Sequence, residues 1–170
     1  MFDVTRRFDA TIKFLGQALS PPARILDLGV DNSLSERMRT AGYTVTNTPD
    51  TDLDFNPGVV TGHDVEVVTA FEILEHVHNP FEILRALDAP RLVATIPMRL
   101  WFAPAYRNMN DVYDQHFHEF ESWQFDSLLK KTGWAVVRTE KWTSPIGQIG
   151  IRPLLRRYTP RYYAVEAERT

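Results

Sequence analysis

The stretch Asp64-Val65-Glu66-Val67-Val68-Thr69-Ala70-Phe71-Glu72-Ile73-Leu74-Glu75-His76-Val77-His78-Asn79-Pro80 decides the fold. Val65 to Ala70 is a β-branched run of the kind that fills a central strand. Pro80 suits the start of a helix, Phe81 to Leu87, because its missing amide would be unpaired there anyway. Glu72, Glu75 and His76 stand between the two. The strand ends at Glu72, which therefore lies beside the crevice where open α/β sheets bind their ligands.

Outward from that stretch, strands and helices alternate. Phe8, Ile12, Leu15 and Leu19 share one face at helical spacing, so residues 3–19 read as an amphipathic helix ended by Ser20-Pro21-Pro22. Arg24-Ile25-Leu26-Asp27-Leu28-Gly29 is a short strand running into a turn. Ser33-x-x-Glu36 forms a capping box that opens a helix near Leu34, and Gly42 stops it. Tyr43 to Thr46 is the next strand, and the turn-rich residues 47–63 hold no helix. On the other side, Arg91 to Ile96 is a strand stopped by Pro97. Residues 98–120 carry aromatics, arginines and histidines without a period and read as a long functional loop. Ser122 to Thr132 is a helix closed by Gly133; Trp134 to Trp142 and Tyr162 to Glu168 are strands with a short helix between them. This order predicts one α/β domain over residues 1–170, mostly parallel, with helices on both faces and an antiparallel edge hairpin.

Composition narrows the function classes. At 170 residues the chain can bury roughly 70% of its unfolded surface and needs no staple. The absence of cysteine excludes a disulfide framework, a thiolate zinc site and a cysteine nucleophile. No stretch approaches the ~20 apolar residues of a membrane span, and MFDVTRRFDATIKFLGQAL lacks the apolar core of a signal peptide, so a cytoplasmic location is expected. A net charge of −3 and a pI near 5.9 argue against nucleic acid as a partner. Arg152, Arg156, Arg157 and Arg161 make the one basic patch, read as solvated surface, with an anionic ligand as the alternative. Asp3, Arg6 and Arg7 read as the wet face of the first helix.

Five stretches together resemble the class I S-adenosylmethionine-dependent methyltransferases, in the branch with a Glu-x-x-Glu-His motif after the fourth strand. They are Ile25 to Gly29, Asp64 to Pro80, Ala94-Thr95-Ile96-Pro97, His116-Phe117-His118-Glu119-Phe120, and Leu128-Leu129-x-x-x-Gly133-Trp134. The resemblance implies a Rossmann-like sheet, trimmed here between the family's strands 2 and 4. It implies an N-terminal helix over 1–20, a core over 24–142, and a segment over 143–170 that gives the hairpin strand and the acceptor side. Asp27, Gly29, Asp31, Asp50, Asp54, Phe55, Phe71 and Glu72 would then line S-adenosylmethionine. The family's Asp-x-Gly-x-Gly-x-Gly loop reads Asp27-Leu28-Gly29-Val30-Asp31-Asn32-Ser33, so Asp31 and Ser33 replace its second and third glycines. The family's ribose-binding acid falls at Pro49, and Asp50 serves if the register slips by one.

The chemistry expected is methyl transfer to a small-molecule acceptor, with oxygen preferred. Alignment supplies much of the rate of such a displacement, and a base helps where the nucleophile carries a proton of high pKa. His116, His76 and Glu72 are the catalytic candidates; His116 and His118 would point to opposite sides of an extended segment, and His116 is taken as the inward one. Glu72, Glu75, His76 and His116 also suit a divalent cation such as Mg²⁺, Mn²⁺ or Zn²⁺. The small-RNA 2′-O-methyltransferases and ubiquinone-pathway O-methyltransferases, which this pattern resembles, include members that hold a metal in this way. Trp101, Phe102, Tyr106 and Tyr113 are read as an acceptor pocket or lid, and Trp123 and Trp134 as packing the last long helix. The rival reading is a methyltransferase-like binding module without activity, for which Asp31 and Pro49 speak.

Overall fold

The computed structural model describes residues 2–111, 114–143 and 150–170. Helix α1 (Phe2–Ala18) leads into β1 (Arg24–Asp27), α2 (Ser33–Thr40) and β2 (Thr44–Asn47). A 3₁₀ turn (Pro57–Val60) precedes β3 (Val67–Phe71), α3 (Pro80–Ala86) and β4 (Arg91–Pro97). Helix α4 (Ser122–Lys131), β5 (Trp134–Thr143), α5 (Ile151–Tyr158) and β6 (Pro160–Arg169) complete the chain. The six strands form one sheet in the order β2-β1-β3-β4-β6-β5. β2, β1, β3 and β4 are mutually parallel, and β6 runs antiparallel to both β4 and β5. The Rossmann-like arrangement with an antiparallel edge hairpin is thus the one the sequence predicts.

Strand alternation divides the core into two layers. Ile25, Val67, Val93 and Ala164 pack with Phe14, Leu15 and Met38 from α1 and α2. Leu26, Val68, Ala94 and Val165 face the other way, onto Ile83, Leu84, Phe125 and Leu129 from α3 and α4. The buried stripe of α1 is Thr11, Phe14, Leu15 and Ala18, spaced i, i+3, i+4, i+7. This turns Arg7 and Phe8 toward the carboxyl ends of the strands, where they line a cleft. The wet face expected around Arg7 is therefore corrected: its guanidinium pairs with Glu72 at 3.4 Å.

Between β2 and β3 the only regular element among the described residues is the 3₁₀ turn. Leu53 and Val60 are buried there and close the core edge that a longer connection would otherwise cover. Two local expectations change. Asn32, not Ser33, caps α2: its side-chain oxygen accepts from the Leu34 and Ser35 amides. Asn32 is extended while Ser33 is already helical, so the shorter loop puts the cap one residue earlier. Trp134 is buried as expected, but Trp123 is 64% exposed, its indole donating to Glu121. α4 turns Phe125 and Leu129 inward, which leaves Trp123 on the opposite side.

Candidate functional site

Three clefts line the carboxyl end of the parallel strands and share walls. One of about 300 Å³ lies between α1, Asp27-Leu28, the start of α2, and Phe71-Glu72. A second, about 480 Å³, is lined by Glu72, Glu75, His76, Tyr106, His116 and Arg161 and shares Arg7 and Glu72 with the first. The third, about 860 Å³, runs along Gly29, Val30, Asp50 to Asp54, Ile73, Val77 and Phe117 and shares His76 with the second.

The turn after β1 shapes the first and third. Gly29 has φ of +99°, a region that favours glycine. Its amide donates to Thr48 Oγ1 at 2.8 Å, which holds the turn against the end of β2. Asp27 accepts from Thr69 Oγ1 (2.6 Å), Ser35 Oγ (2.8 Å) and Asn47 Nδ2 (3.2 Å). It ties β1, β2, β3 and α2 together, and burial pushes its carboxyl up against the pull of those donors. Asp31 turns outward and pairs with Arg39 at 2.9 Å, so its charge is met by a cation outside the clefts. Asp50 lines the third cleft; Phe55 is 83% exposed and lines none of the three. Asp54 also borders the third cleft, but its oxygens accept from the His78 and Asn79 amides, both at 2.8 Å.

The turn after β3 carries the acids. Glu72 has φ of +55°, and its amide donates to Thr95 O at 3.0 Å. A non-glycine residue held there stores of order 1 kcal/mol of strain, a feature that clusters at functional sites. Burial pushes the Glu72 carboxyl up, opposed chiefly by Arg7. Glu75 is fully buried, and neither carboxylate oxygen has a hydrogen-bond partner among the described residues. Burial, then the neighbouring charge of Glu72, drives its carboxyl well above the usual range. The Glu75 carbonyl, by contrast, accepts from the Phe117 and His118 amides, which docks the long loop on this turn.

That docking brings His116 in. Its Nε2 lies 4.0 Å from Glu75 Oε1, and His76 Nε2 lies 3.8 Å from the same oxygen. One ligand atom from each of Glu75, His76 and His116 falls within 4.8 Å of the others. His116 Nδ1 faces Glu119 Oε1 at 3.1 Å, and Arg161 donates to that oxygen at 3.1 Å. Burial alone would raise Glu119, but His116 and Arg161 outweigh it and hold the carboxyl below its usual range. His118 points away, toward His78 O.

Residues that sequence reasoning missed as part of this cluster are Arg7 and Arg161. The sequence reads Arg161 as solvated surface, yet its side chain is 13% exposed and it donates to Met98 O at 2.7 Å. Of the loop aromatics, Tyr106 lines the second cleft, while Trp101 is 75% exposed. Tyr113 lies outside the described residues, as do residues 144–149 of the segment expected on the acceptor side.

No family model and no curated protein matches the sequence. Solved structures match the whole architecture. The 1,6-didemethyltoxoflavin-N1-methyltransferase of Burkholderia thailandensis, solved with 1,6-didemethyltoxoflavin and S-adenosylhomocysteine, superposes with a TM-score of 0.71 at 17% identity. The match covers 96% of this chain and 78% of that one. A Listeria monocytogenes putative S-adenosylmethionine-dependent methyltransferase gives 0.65 at 12% identity, covering 96% and 98%. The magnesium protoporphyrin IX methyltransferase of Synechocystis PCC 6803, solved with S-adenosylhomocysteine, gives 0.62 at 13%, covering 98% and 82%. This chain has the class I methyltransferase fold. In a methyltransferase fold the carboxyl ends of the parallel strands are the ligand side, and that is where all three clefts open.

Proposed function

We propose that this chain is an S-adenosylmethionine-dependent methyltransferase, cytoplasmic, that methylates a small-molecule acceptor at oxygen. The observation that carries the reading is the meeting of the three clefts at Glu72 and His76, with His116 oriented from outside by Glu119. Bound S-adenosylmethionine supplies the methyl group on a sulfonium centre. Asp50 and the backbone of Gly29 and Val30 are suited to the adenosine part, Asp50 as acceptor for ribose hydroxyls. Asp54 acts by fixing the His78-Asn79 backbone beside it. Leu28, Phe71 and Glu72 suit the methionine part, with Glu72 for its ammonium group and Arg7, on the same wall, for its carboxylate. Asp27 holds the turn, and Asp31 and Phe55 stand further out.

His116 is the base. A Glu119 carboxylate accepts the Nδ1 proton, which leaves the Nε2 lone pair toward the second cleft to take a proton from an acceptor hydroxyl. The orphaned Glu75 oxygens favour a second reading. There Glu75, His76 and His116 would hold a divalent cation, which lowers the pKa of the hydroxyl in place of a base. Glu72 lies outside that set and stays with the cofactor.

The test is calorimetric titration with S-adenosylmethionine and S-adenosylhomocysteine, with and without Mg²⁺. Micromolar binding is expected, abolished by Gly29→Arg and weakened about tenfold by Arg7→Gln. Absence of heat at millimolar ligand would return the chain to the rival class, a binding module on a methyltransferase fold.

A further inference from the structure

Helix α5 is built inside out. Ile151, Leu154, Leu155 and Tyr158 fall within an arc of about 100°, an apolar stripe that normally faces a core. Here none of its residues is buried. Ile151 is 79% exposed, Leu154 55% and Tyr158 79%. Arg156, on the opposite side, is half-buried and lines the 480 Å³ cleft. Arg152 and Arg157 flank the stripe and are exposed. They stand out in a chain of net charge −3, and they meet no carboxylate among the described residues. The 98–120 loop reaches the same cleft. Its Tyr106 shares the cleft wall with Arg156.

An apolar stripe between cations matches the interface of an anionic bilayer better than a neutral protein groove. The side chains enter the headgroup boundary while the guanidinium groups meet phosphates. Tyr158, an aromatic residue with a polar edge, favours that boundary. A single short apolar helix holds a membrane weakly, so both signals are needed. We propose that α5 is a docking helix that seats the mouth of the second cleft on an anionic lipid surface. Where the cleft is the acceptor site, which rests on the methyl-transfer reading, the acceptor class follows. It is an amphiphile drawn from that surface, with Arg156 at its anionic group.

The test is co-flotation of the full chain with vesicles of phosphatidylcholine, alone and with phosphatidylglycerol. Binding is expected only with the anionic lipid and should fall steeply with salt. Arg152→Ala with Arg157→Ala should weaken it about fivefold per arginine. Leu154→Gln with Tyr158→Gln should weaken it at least about tenfold. Lys130→Ala with Lys131→Ala, on α4, should leave it unchanged. All of these positions are exposed, so an unchanged melting midpoint shows that the fold is kept. The proposal falls if the chain floats with neither lipid, or if the stripe variant floats like the parent. It also falls if the stripe variant instead turns a dimer into a monomer in sedimentation, because a second copy then covers α5. S-adenosylhomocysteine titration of the same preparation separates the two claims. Flotation without cofactor binding keeps the docking surface and removes methyl transfer, and the reverse result removes only the surface.

Discussion

Asp54 concentrates more donors than its position in a turn-rich segment suggests. The backbone amides of His78 and Asn79 and the His78 ring all face its carboxylate. Burial pushes this carboxyl up, but those donors and the histidine charge prevail, so it lies below its usual value. A depressed carboxylate stabilises the fold above its unfolded pKa of 3.8, and that contribution is lost as pH falls through the folded value. Asp54→Asn should therefore cost about 1–2 kcal/mol near neutral pH. Its deficit against the parent should shrink in thermal melts taken down toward pH 3; a deficit independent of pH would contradict the assignment. This residue could be read from sequence as a candidate but not in its role, because the partners come from 24 and 25 positions away. Arg7 is the opposite case. Nothing in its own helix marks it, since an arginine near Asp9 on an amphipathic helix reads as solvent-facing. Only the packing of Phe14 and Leu15 turns it onto Glu72.

Elements were more legible than residues because period and punctuation are local. The β-branched run before Glu72, Pro80 at a helix start and Gly133 at a helix end are signals contained within a few residues. Each matches an element boundary to within about two residues. The start of α2 was less legible, because Asn32 and Ser33 are both good caps and only backbone conformation decides between them. Asn32 is extended and accepts from two amides. Asn32→Ala should thus cost about 1 kcal/mol in urea unfolding, whereas Ser33→Ala should cost a few tenths. Equal losses, or the larger loss at Ser33, would restore the sequence reading. The placement of α5 was not legible at all. The sequence shows only a short helix between the last two strands; β5 and β6 leave its apolar face open, and helical period says nothing about which side a neighbour will cover.

At the scale of the molecule, the second cleft joins parts of the chain that the sheet alone leaves apart. Glu75 and His76 sit on the turn after β3, and His116 arrives on a loop held by the Glu75 carbonyl and by Glu119 and Arg161. A divalent cation on these three side chains would clip the loop to the sheet and would neutralise a carboxylate that accepts no hydrogen bond from the described residues. Ligands that bind only the folded state raise its stability by mass action, about 2.7 kcal/mol at a hundredfold excess over Kd. In a chain of this size that corresponds to a rise of roughly 5–10 °C in Tm. Mn²⁺ should produce such a rise, reversed by a chelator. Glu75→Gln should remove the rise while melting no lower than the metal-free parent, because it deletes an ionisable group that burial and Glu72 already hold unfavourably. His118→Ala, whose ring points to His78 O, should keep the full shift. A Tm indifferent to Mn²⁺, or a shift that survives Glu75→Gln, would leave His116 as a base oriented by Glu119 and remove the cation from the site.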